Sequence, residues 1–143
     1  MSGRRVIALV GLILFATAVV PPLAATTVNR LRVARATAQA EELARQLATA
    51  RGLADGPETV LRGAGDWPRF EGDAVALADQ PRASFPDDSA LRPRADPWGN
   101  AFIAILREDG AGARRWYVVS AGPDGIVTSA APRAAGDDIV AAR

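Results

Sequence analysis

Three acids near the C-terminus have the types and spacing to hold a hard cation. Asp124 stands in Ser120-Ala121-Gly122-Pro123-Asp124-Gly125, and the pair Asp137-Asp138 follows thirteen residues later. Calcium is held by several oxygens, some from carboxylates and some from backbone carbonyls, on a flexible loop. A Gly-Pro-Asp-Gly turn directs carbonyls inward, here those near Val119-Ser120, and the returning Asp pair adds carboxylate oxygens. The competing reading makes Asp124 an ordinary turn former and the Asp pair a solvated end. Eleven residues, Ile126 to Gly136, separate the turn from the pair, and both readings stand at this level.

Other chemistry is poorly supplied. The chain has no cysteine, so thiol nucleophiles, disulfides and thiolate metal sites are excluded. It has no histidine, which removes the usual general base. Ser120 lacks a nucleophile-elbow context, and Asp87-Asp88 read as solvated acids in a proline-rich loop. No enzyme is expected. All seventeen basic residues are Arg. Five of them, with no acid, fall in the first 35 residues; the remainder carries twelve Arg against sixteen acids. Basic charge that clusters around an apolar segment is not a nucleic-acid profile.

The elements that must position the acids can be read in outline. Val6 to Ala25 is an uncharged run of twenty residues, about 30 Å as a helix and enough for a bilayer core. A retained membrane anchor over 1–25 is expected. The alternative is a cleaved signal peptide, for which Arg4-Arg5 and Leu23-Ala24-Ala25 supply the features. Pro21-Pro22 should kink or loosen a helix there. An amphipathic helix or stalk is expected over 26–55. Ala36, Ala40, Leu43, Leu47, Ala50 and Ala54 form one face, and Gly52 with Gly56-Pro57 ends the helix.

A head is expected over 56–143. Leu61 to Pro68 reads as a turn-rich loop anchored by Trp67, and Ala74–Ala78 is too short to assign. Strands are expected at Ala101–Leu106 and Arg114–Ser120, with a third at Ile126-Val127-Thr128 or Ile139-Val140. Asp96-Pro97-Trp98-Gly99-Asn100 reads as a turn that marks the fold. The fold class is therefore α+β: a long N-terminal helix and a small antiparallel sheet.

The order of three turn motifs adds to this reading. Asp96-Pro97-Trp98-Gly99-Asn100, a hairpin, Ser120-Ala121-Gly122-Pro123-Asp124-Gly125 and Asp137-Asp138-Ile139 together resemble the C-terminal half of the major pseudopilins of type II secretion. The resemblance implies a pilin-like fold and a single-pass inner-membrane protein with its head in the periplasm. It implies a structural subunit that packs through its N-terminal helix against copies of itself, other pseudopilins and secretion-system inner-membrane components. It also implies calcium bound by Asp124, Asp137 and Asp138. The chain departs from the family at its N-terminus. Gly3 is followed by Arg4, not by a Phe-like residue, and no acid occurs before Glu41. Processing by a prepilin peptidase is therefore not expected. Two alternatives remain: a membrane-anchored, non-polymerising pilin-like module in the periplasm, and a soluble secreted domain.

Overall fold

The structure is a computed structural model. It describes residues 3–50, 59–80, 82–85, 91, 93–108, 111–129 and 134–143, with side chains from residue 25 onward except 59 and 82–84. It divides into two compact units, Met1–Arg32 and Val33–Arg143.

The described part of the first unit, from Gly3, is helix. Helix α1 is assigned over Gly3–Thr49, without a break at Pro21-Pro22. Among the described residues no helix is long and apolar enough to cross a membrane. The side chains of 3–24, which include nearly all of the uncharged run, lie outside the described residues. Val28 and Leu31, at the end of this unit, are exposed.

In the second unit α1 turns amphipathic. Ala36, Ala40, Leu43, Ala44 and Leu47 are buried, the stripe that the spacing predicts, with Ala44 added to it. The opposite face carries Glu42, whose carboxylate accepts from Arg45 and Gln46 one turn on. The helix ends at Thr49, earlier than the glycines predict. The expected continuation through Ala54 falls at 51–58, outside the described residues.

Five strands form the main sheet in the order β3-β1-β4-β5-β7. They are β1 (Thr59–Arg62), β3 (Arg82–Ser84), β4 (Ile103–Glu108), β5 (Arg114–Ser120) and β7 (Ile139–Ala142). β1, β4, β5 and β7 pair antiparallel, and β3 adds a short parallel edge. The β4–β5 hairpin sets Ile103 opposite Val119 and Leu106 opposite Trp116. β5 has the predicted bounds, and β4 lies two residues later than predicted. Both candidates for a third strand are strands. Only β7 joins the main sheet; β6 (Ile126–Val127) pairs in parallel with β2 (Arg69–Phe70).

Alternation along the strands fills two cores. Leu61, Phe102, Ala104, Leu106, Trp116, Val118 and Ala141 face Leu43, Ala44 and Leu47 of α1. Val60, Ile103, Ile105, Tyr117 and Val119 face the other way, onto Ala74, Leu77, Trp67 and Phe70. The second layer is made of a 3-10 turn (Gly72–Ala74), the short helix α2 (Val75–Ala78) and the 67–70 segment. A sheet covered on both faces has near-continuous apolar strands, as Ile103 to Leu106 are. Each fully buried Ile or Val contributes about 1.5–3 kcal/mol. The loop expected over Leu61–Pro68 is corrected in its first residues. Thr59-Val60-Leu61 is β-branched and apolar, and pairs with β4.

Candidate functional site

The three turn motifs meet at one end of the sheet. β4 begins there and β5 ends there, so the 96–100 turn lies beside the 120–125 turn. Asp96 is 4% exposed and is the centre of the junction. Its Oδ1 accepts from the backbone N–H groups of Trp98 and Asn100, each at 2.9 Å. Its Oδ2 accepts from the Ser120 hydroxyl at 2.7 Å and faces the Asn100 amide at 3.4 Å. The Ser120 Oγ in turn accepts from the Gly122 N–H. Main-chain bonds fix the turn to the segment after β1: Asp66 donates to Gly99, and Ala101 donates to Asp66. This buried network explains why the motif holds Asp first, Gly fourth and Asn fifth. An Asp side chain bonds the backbone two residues on, and Gly99 sits at φ 97°.

From β5 the chain enters the 120–125 turn. Gly122 has φ 64°, and a Cβ there would lie 2.6 Å from the Asp137 carbonyl oxygen and 2.9 Å from its Oδ2. Only glycine lets Asp137 come this close. Asp124 is exposed and uses Oδ1 to accept from the Ile126 N–H at 2.8 Å. Asp137 and Asp124 adjoin. Asp137 is exposed, yet its carboxyl is pushed above the usual carboxylate range, first by desolvation where it lies against Gly122 and also by the Asp124 charge.

The long Ile126–Gly136 segment does not keep the acids apart. It is closed at its neck. Asp138 Oδ2 accepts from the Thr128 N–H at 2.8 Å, the Ser129 N–H at 2.7 Å and the Thr128 hydroxyl at 3.1 Å. Ala135 donates to Ser129 Oγ and accepts from the Thr128 hydroxyl. Residues 130–133 at the tip lie outside the described residues. Asp137 therefore returns to Gly122 despite the separation.

The predicted ligand set is gathered in part. Asp124 and Asp137 stand together. Asp138 is 7% exposed, with one oxygen committed to the neck and Oδ1 buried without a hydrogen-bond partner. Among the described residues no three acids form a ready metal group. Three observations fit a cation here: two adjoining acids, an orphaned carboxylate oxygen on the next residue, and a glycine that leaves room for one of the acids. The sequence names the carbonyls near Val119-Ser120, but neither the Ser120 hydroxyl's bond to Asp96 nor the reach of Asn100 to Gly122 is legible in it. Asn100 reads from sequence as the end of a turn, and its reach to residue 122 is set by strand register.

The sign of the Asp137 shift gives a test. A carboxyl whose folded pKa is raised favours folding when protonated. That contribution is full below pH 3.8, the group's ordinary value, and is lost as pH rises through the raised folded pKa. With chelator present, wild type should lose this part of its stability across that window. Asp137→Asn should lose less, and at neutral pH it should melt at or above the wild-type temperature. Melting curves against pH for the two proteins check this; parallel curves would mean that Asp137 is not destabilised by its neighbours.

Compared with known proteins, the chain matches no family model, no curated protein and no solved structure.

Proposed function

We propose that this chain is a pseudopilin-like structural subunit of a type II secretion or related pilus-like assembly. The observation that carries the reading is the order of the three turn motifs together with their meeting at one end of a sheet backed by a long helix. Its work is mechanical. The N-terminal helix anchors the subunit in the inner membrane and packs against equivalent helices, and the head faces the periplasm. Exposed Val28 and Leu31 are apolar surface of the kind such packing covers. Calcium is the candidate cofactor. Asp124 and Asp137, with Asp138 and carbonyls near Val119-Ser120, would hold it. A bound divalent cation neutralises neighbouring carboxylates and ties the segments that carry them.

A second reading is an anchored head that does not polymerise, which suits the segment Arg4 to Ala40, where there are five Arg and no acid. Cross-linking separates the two. The chain has no native cysteine, so a single Leu31→Cys reports only its own contacts. In membranes holding the full secretion apparatus, oxidation should give a cross-linked dimer. A product that stays monomeric with cysteines placed in turn at Val28, Leu31 and Val33 would favour the non-polymerising module.

A further inference from the structure

Within the turn that carries Asp124, two side chains accept from the backbone: the Ser120 Oγ from the Gly122 N–H and Asp124 Oδ1 from the Ile126 N–H. Gly122 and Gly125 both have positive φ, and Pro123 has no N–H to donate. From outside, the Arg69 N–H donates to the Gly125 carbonyl at 3.0 Å, and Asn100 holds the Gly122 end. The Asn100 Nδ2 donates to the Gly122 carbonyl at 2.9 Å. Only the amide nitrogen can donate to a carbonyl, so the side chain's orientation is fixed. Its Oδ1 lies 3.1 Å from where a Cβ on Gly125 would stand. The side chain thus lies against both glycines of the turn. Asn100 is itself anchored: its backbone N–H donates to Asp96 Oδ1, and its carbonyl accepts from the Asp96 N–H at 2.9 Å. The Ser120 hydroxyl on the other oxygen of Asp96 ties this anchor to the end of β5.

We propose that Asn100 is a positioning residue that fixes the Gly122–Gly125 turn, and through it sets the cation affinity of the acids the turn carries. The second half rests on the calcium reading; the first does not. Asn100 touches neither Asp124 nor a cation in this role. It acts by holding the Gly122 carbonyl, next to which Asp137 packs.

The test uses the full chain and Asn100→Asp, which keeps side-chain volume and the Oδ1 acceptor, replaces the donor by a second acceptor and adds a negative charge facing Asp96 Oδ2. Amide exchange is measured first with chelator. The Gly122 and Ile126 amides should exchange at least tenfold faster in the variant, while Thr128 and Ser129, held by Asp138, and the amides of β4 and β5 stay protected. Unchanged exchange at 122 and 126 overturns the proposal. Calcium titration by calorimetry comes second. The variant should bind at least tenfold more weakly, although its added negative charge would by attraction alone tighten binding. Equal or tighter binding overturns the proposal. If wild type takes no calcium, the calcium reading fails and the exchange result alone decides the positioning role. If β4 and β5 lose protection too, the variant has unfolded. The side-chain amide protons of Asn100 in wild type then decide: slow exchange supports the proposal, and exchange at the rate of a free amide overturns it.

Discussion

Replacing Asp96 by Ala lowers the unfolding free energy by about 3 kcal/mol. The carboxyl accepts from two backbone N–H groups and the buried Ser120 hydroxyl, all within 2.9 Å. Hydrogen bonds to a carboxylate contribute about 1.5–3 kcal/mol each, and a buried donor left without a partner costs about 1–3 kcal/mol. Simple addition overstates the loss, because water reaches the half-buried Trp98 and Asn100 and the turn relaxes. The Ser120 hydroxyl, fully buried, cannot be rescued in that way. Asp96→Asn should cost less than half as much. It keeps Oδ1 for the two N–H groups and sets a donor against a hydroxyl that can accept. Urea unfolding of the three proteins checks the order. A loss under about 1 kcal/mol for Asp96→Ala would mean that the motif is a surface turn and not a buried junction.

The parts of this fold that the sequence makes legible are those set by short-range pattern. Trp116 to Val119 is a run of aromatic and β-branched residues, and β5 follows with the predicted bounds. Ala36, Ala40, Leu43 and Leu47 recur at helical spacing, and all are buried. β1 was missed because its four residues lie between Gly56-Pro57-Glu58 and Gly63-Ala64-Gly65, and turn formers on both sides mask so short a strand. β6 and β7 both matched the strand pattern, but which of them joins the sheet depends on pairing partners far along the chain. The same limit applies at the candidate site. Asp124 and Asp137 have the right types and stand together. Asp138 has the right type, yet its burial between Thr128 and Ser129 depends on how the 126–136 excursion closes, and no local pattern encodes that neck. Asp96 and Ser120 are 24 residues apart and meet only because β4 and β5 pair in one register.

If the proposed calcium site forms, calcium at saturating concentration should raise the stability of the wild-type chain and leave that of Asp124→Ala unchanged. A ligand that binds only the folded form adds RT ln(1 + [L]/Kd), about 2.7 kcal/mol when calcium is 100-fold above Kd, or a rise in melting temperature of roughly 10 °C. The sign in chelator differs. There Asp124 and Asp137 are adjoining acids whose charges oppose each other, so Asp124→Ala relieves a repulsion while losing the bond from the Ile126 N–H. The two effects oppose, and the calcium-free melting temperatures of wild type and variant should lie close together. Asp138→Ala should behave otherwise. Its Oδ2 closes the neck of the excursion in the absence of any ion, so this variant should lose stability in chelator as well as losing the response to calcium. Melting curves of the three full-length proteins, each with calcium and with chelator, separate these roles. A wild-type midpoint that does not move with calcium would make Asp124 a turn residue and Asp138 a loop clasp, with no ion between the segments they hold.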